Sequence, residues 1–285
     1  HHGRRRSASE GMIHDPASDA NVPGESAPPR LPADHSPAPS GSPVVRLEPG
    51  LGSSLALTAI YVVGLVGVQT VASIVEMIRR HPLGLGPWTT VLTMVLAFTG
   101  TMALVPVLGR CSLRTILHPR LQPMAALPAI LLLAVGGWLI AGEIGVLTER
   151  AMPMQPFIAT MFEELFSTAD PVGSLVLLVA VPPLVEETLC RGLVLRSMLG
   201  RWTPATSIMA SALVFGLIHL NPWQFFYATW LGVVFGWAYC RTRSLGLCML
   251  MHAVNNGLSW VLMRFQPDWA GLERKSFSEP PEHLP

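Results

Sequence analysis

From Ser53 onward, long apolar runs alternate with short polar breaks. Seven runs read as spanning helices: 53–78, 88–108, 125–147, 173–198, 205–220, 223–240 and 245–264. A helix needs about 20 mostly apolar residues to cross a bilayer. Backbone groups in lipid must be satisfied within their own segment, so the runs predict helices rather than open strands. The alternating runs of about 10 residues that mark a transmembrane barrel are absent from the pattern. The fifth and sixth runs are short, and His219-Leu220-Asn221-Pro222-Trp223 between them reads as a tight turn. The expected fold class is all-α: a polytopic transmembrane helix bundle of about seven spans with a disordered N-terminal tail.

Residues 1–50 break the pattern. They hold nine prolines, many Ser, Ala and Gly, and charges of both signs with no hydrophobic period. Such a segment cannot bury enough apolar surface to offset its ordering entropy. It has no apolar stretch followed by a cleavage site and is not read as a signal peptide. The expected organisation is a disordered tail over 1–50, N-terminal transmembrane helices and loops over 51–170, a core rich in intramembrane polar residues over 171–264, and a C-terminal tail over 265–285.

Composition agrees with a lipid-facing surface. Half of the 285 residues are hydrophobic and only 13% are charged, against about 25% in soluble domains. The net charge of +1 gives no field for nucleic acid. Arg positions suggest an orientation. Arg110, Arg114 and Arg120, then Arg196 and Arg201, then Arg241 and Arg243 fall on one side if the spans alternate, together with Arg46. Glu149, Glu163, Glu164 and Asp170 fall on the other; Arg79 and Arg80 are exceptions. The expectation is a multi-pass protein of the cell (inner) membrane, N-terminus cytoplasmic and C-terminus outside. Cys111, Cys190, Cys240 and Cys248 form no C-x-x-C pair and read as buried thiols.

Candidate chemistry lies in the polar residues inside apolar runs. An ionisable group at the bilayer centre costs at least about 2.5–3.5 kcal/mol, so it faces a protein interior or water and marks function. Glu186 and Glu187 follow Pro182-Pro183, which should kink their helix. Glu187 and Arg191 are four residues apart and share a face, which suggests an ion pair and leaves Glu186 free to face a cavity. Emergence of the helix into the headgroups is the plainer reading of the same residues. His219 ends the run Phe215-Gly216-Leu217-Ile218, where Gly216 permits close helix approach. His252 and Asn256 share a face of the last span, as a polar seam between helices also would. Taken together, Glu186 with His219 makes a general-base pair for water, and His252 with Asn256 can donate to an oxyanion.

The order Glu-Glu-x-x-x-Arg, Phe-x-x-x-His, His-x-x-x-Asn over residues 173–262 resembles the CAAX-protease and bacteriocin-processing enzyme family (CPBP, also called Abi) of intramembrane endopeptidases. The resemblance implies that Glu186 and His219 activate water, that His252 and Asn256 hold the oxyanion, and that Glu187 and Arg191 hold the helix. It implies a peptide or membrane-anchored protein substrate, cut near the membrane surface. Members have also been described as metalloproteases. No cofactor is the preferred expectation; zinc on Glu186, His219 and His252 is the alternative, though no His-Glu-x-x-His is present. The aromatic cluster Trp223, Phe225, Phe226, Tyr227 and Trp230 reads as an interfacial belt. Two rival functions remain open: a transporter or proton-coupled channel, and a non-catalytic scaffold or immunity protein.

Overall fold

A computed structural model describes residues 49–79, 87–117, 124–156, 158–160 and 170–265. All but the last two residues of the tail expected over 1–50, most of 265–285, and Arg80, Arg120, Glu163 and Glu164 lie outside these residues. Every regular element among the described residues is a helix, so the expected all-α polytopic bundle is what the structure has.

The helices are α1 (Leu51–Arg79), α2 (Pro87–Leu104), a short α3 (Leu113–Ile116), α4 (Leu127–Ala151), α5 (Pro171–Leu199), α6 (Pro204–Leu217), α7 (Pro222–Thr242) and α8 (Leu245–Phe265). Each of the seven apolar runs is one of the seven longer helices. Among the described residues, α1, α2, α4, α5 and α8 are long and apolar enough to cross a membrane. Helix α6 is apolar but has only 14 residues. Helix α7 has the length, but Gln224, Tyr227, Thr229, Tyr239 and Arg241 dilute its apolar character.

The helix starts have a shared cause. Asp170, Thr203 and Asn221 each precede a proline and accept a backbone N–H of the first turn with their side chains. Proline at the first helical position loses only an N–H that has no intrahelical partner there.

Helix α5 lies at the centre, packed on α1 and α2 on one side and on α6, α7 and α8 on the other; α4 closes over α7 and α8. Leu57, Tyr61, Met102 and Val105 of α1 and its neighbour pack with Val185, Leu189 and Leu193 of α5. Helices α6 and α7 meet closely because glycine leaves room: a Cβ on Gly232 would lie 2.8 Å from the Ala212 Cα, and one on Gly216 would lie 2.8 Å from the Phe225 carbonyl oxygen. Close approach through small residues is the usual means of packing helices in lipid.

The expected aromatic belt is only partly lipid-facing. Phe226 is exposed, but Tyr227 and Trp230 pack inward on the α4–α8 cluster. Trp230 donates to the Gly137 carbonyl and Trp223 to that of Met152. Positions 223, 227 and 230 fall on one helical face, and that face is turned to α4.

Candidate active site

The polar residues of the site come from α5, from the end of α6, and from α8. Helix α5 is not regular. It widens into π turns over Val176–Ala180 and again over Thr188–Leu195, with an α segment, Val181–Glu187, between them. Such turns insert a residue and redirect the side chains that follow. Pro182 and Pro183 supply part of the cause. In an α register the Leu178 carbonyl would accept from residue 182, and in a π register from residue 183; neither proline has an N–H. The side chain of Asn256 on α8 donates to this carbonyl instead, at 2.8 Å.

Adjacent Glu186 and Glu187 face different partners. Glu187 is fully buried. Its Oε1 accepts from Arg191 at 3.0 Å and from His252 Nδ1 at 3.0 Å. Arg191 is also fully buried, donates to the Gly232 carbonyl at 2.9 Å, and lies over the rings of Phe215 and Phe235 at 4.6 and 5.5 Å. Both guanidinium-to-ring contacts fall within the range of cation–π attraction.

Glu186 is 16% exposed, and its Oε2 has no hydrogen-bond partner. That oxygen lies 3.9 Å from His219 Nε2 and 4.0 Å from His252 Nε2. The residue contacts fix which ring atoms face it. His219 follows the last turn of α6 and its Nδ1 meets the Phe215 carbonyl at 2.8 Å. A carbonyl only accepts, so Nδ1 carries the proton. His252 Nδ1 meets the Glu187 carboxylate and is protonated for the same reason. Both imidazoles therefore turn Nε2 toward one carboxylate oxygen. Leu220, at φ 51°, reverses the chain directly after His219 and leads into Asn221 at the start of α7. The ring of Phe215 sits edge-on to both His219 and His252, at 5.2 and 5.7 Å between centroids, and fixes their spacing.

Among the residues named from sequence, Glu186, His219 and His252 converge, with Glu187 and Arg191 behind them. Asn256, one turn along α8 from His252, is engaged with Leu178 and accepts from Asn255. Phe235 and Gly232 are further members that the sequence does not mark, and Phe215, the first position of the Phe-x-x-x-His motif, gains its contacts with Arg191 and both imidazoles.

Zinc bonded at about 2.0–2.2 Å in a tetrahedron sets its ligand atoms about 3.3–3.5 Å apart. The Glu186–His219 and Glu186–His252 separations are wider, and no three His, Cys, Asp or Glu among the described residues form a metal-holding group. As placed, these donors do not fit one zinc ion, and no step below passes through a metal.

These features define a polytopic α-helical membrane protein with a buried carboxylate–imidazole cluster. Residues 168–258, from just before the Asp170 cap of α5 to just past Asn256, match the Rce1-like family model, described as type II CAAX prenyl endopeptidase Rce1-like. That segment of the chain is thus similar to the CAAX-protease family whose motifs its sequence resembles, and the long apolar helices make the chain an integral membrane protein. No curated protein and no solved structure matches it.

Proposed function

We propose that the chain hydrolyses a peptide bond of a membrane-associated substrate, using water activated by Glu186 with His219. One observation carries the reading: an unpartnered carboxylate oxygen lies 3.9–4.0 Å from the Nε2 atoms of two imidazoles. In neutral rings with Nδ1 protonated, all three of these atoms are acceptors. Water is a small double donor, and a water between them gives its hydrogens to the site while its lone pair points outward. That is the orientation general-base catalysis needs.

The electrostatics are favourable as well. With Glu187 neutralised by Arg191, the carboxylate of Glu186 holds the excess negative charge. As water attacks, its proton passes to Glu186 and the negative charge moves to the carbonyl oxygen. Charge is relocated and no new charge is created, so the low-dielectric interior is not asked to solvate an extra ion. The Glu186 proton then goes to the leaving amine, with His219 within reach as its carrier. His252, held through Nδ1 by Glu187, presents Nε2 to the same space and assists the oxyanion when protonated.

The test is incubation of the purified chain with a membrane peptide library that includes prenylated CAAX tails, read by mass spectrometry. Wild type is expected to cut; Glu186→Ala and His219→Ala are expected to fold and not to cut. A chelator is expected to leave the rate unchanged. Wild-type turnover by Glu186→Ala sinks the assignment, and stoichiometric metal whose removal stops cleavage replaces it with a metal mechanism.

A further inference from the structure

Helix α1 lies outside the family match, yet its inward stripe is unusual. Most of the helix presents aliphatic residues outward, including Val63, Val66, Val71, Ile74 and Ile78. Its buried positions at Ser54, Leu57, Thr58 and Tyr61 recur at helical spacing, and three of these four carry hydroxyls. Thr58 is satisfied by the Ser54 carbonyl. Tyr61 is 3% exposed, and its hydroxyl has no hydrogen-bond partner. A buried polar group left unpaired costs about 1–3 kcal/mol, so a retained phenol in this position calls for a reason. Tyr61 packs in the cluster that holds Val185 and Leu189, the residues flanking the Glu186–Glu187 pair, and its hydroxyl lies within electrostatic reach of the Glu186 carboxylate.

Resting on the hydrolytic reading above, we propose that Tyr61 is a further catalytic residue, whose O–H donates to the carbonyl oxygen of the scissile peptide as it becomes an oxyanion. The donor inventory supports this. The Nδ1–H groups of His219 and His252 are spent on Phe215 and Glu187, and one N–H of Asn256 is spent on Leu178. Glu186 Oε2 and His219 Nε2 receive the two hydrogens of the attacking water, and His252 Nε2 donates to the oxyanion only when its ring is protonated. With His252 neutral the site still needs a donor for the carbonyl oxygen, and beside the second N–H of Asn256 the buried hydroxyl of Tyr61 has one unspent. In the step, the water oxygen forms a bond to the carbonyl carbon and its proton passes to Glu186. The carbonyl π pair moves to the oxygen, which Tyr61 holds without giving up its own proton.

The experiment compares Tyr61→Phe with wild type and Glu186→Ala in full-length protein, on the library peptide that wild type cuts fastest. Loss of one oxyanion donor is expected to lower kcat by about 10²–10³-fold with KM within about twofold. The thermal unfolding midpoint of Tyr61→Phe is expected to be unchanged or raised, because the variant removes a buried group without a partner. Wild-type kcat in Tyr61→Phe, with Glu186→Ala inactive, overturns the Tyr61 role and leaves the hydrolytic reading standing. A lowered midpoint overturns the role independently of any activity, since it shows the hydroxyl was bonded within the fold. Cleavage by Glu186→Ala equal to wild type, or no cleavage by wild type, removes both readings.

Discussion

Glu186 and Glu187 show how identical neighbours acquire opposite roles. About 100° separates them around the helix, so one meets the imidazole edges and the other a guanidinium in the core. The carboxylate of Glu187 survives in a low dielectric only because Arg191 and His252 both donate to it. Arg191→Ala removes the charge partner, the bond to the Gly232 carbonyl and the contacts with Phe215 and Phe235 at once. Leaving one half of a buried pair typically costs about 3–5 kcal/mol. The expected outcome is a marked fall in the thermal unfolding midpoint and in the yield of monodisperse protein. The double substitution Glu187→Gln with Arg191→Met is expected to recover much of the stability, because both charges leave together. An Arg191→Ala protein as stable as wild type is the result that contradicts a structural role for the pair.

At the scale of the element, the break in α5 is set by two prolines and repaired by a neighbouring helix. Asn256 donates to the carbonyl that Pro182 and Pro183 leave without a backbone donor. The two features are therefore coupled. Asn256→Ala is expected to lower stability by about 1–3 kcal/mol, the cost of a buried unsatisfied polar group. In a Pro182→Ala, Pro183→Ala background the backbone regains the missing N–H, and the same Asn256→Ala change is expected to cost much less. A double-mutant cycle by thermal or denaturant unfolding measures the difference, and additivity of the changes is the outcome that denies the coupling. The coupling also explains what the sequence did and did not reveal. Seven apolar runs are legible because lipid forces every spanning segment to satisfy its own backbone. The convergence of residues 186, 219 and 252 was legible because ionisable groups are costly in lipid unless they have company. The bond from Asn256 to Leu178 joins positions 78 residues apart; the prolines signal that a carbonyl is orphaned but not which helix answers it. Tyr61 gave no signal, since a lone tyrosine in an apolar run looks like any interfacial aromatic.

At the scale of the molecule, the family match covers about a third of the chain, yet the site is enclosed by more than that third. Val185, Leu189 and Leu193 of α5 are buried against Leu57, Tyr61, Met102 and Val105, which come from before the match. In lipid, exposing those apolar side chains is inexpensive, because acyl tails are as apolar as leucine. The costly part of losing α1 and α2 is electrostatic. Removing them uncovers the side of α5 next to Glu186, and a carboxylate facing lipid costs at least about 2.5–3.5 kcal/mol. Expression of residues 124–265 alone is therefore expected to give protein that aggregates on extraction. Co-expression of a separate fragment spanning 45–117 is expected to restore a monodisperse complex, because the two parts meet through packing and not through a covalent necessity. The restoration is expected to weaken when Leu57 and Val105 in the added fragment are both changed to Ala, which cuts into the contact itself. Size-exclusion chromatography of the paired fragments reads all three outcomes. A monodisperse 124–265 fragment on its own would mean that the matched segment encloses its carboxylates without help from the N-terminal helices.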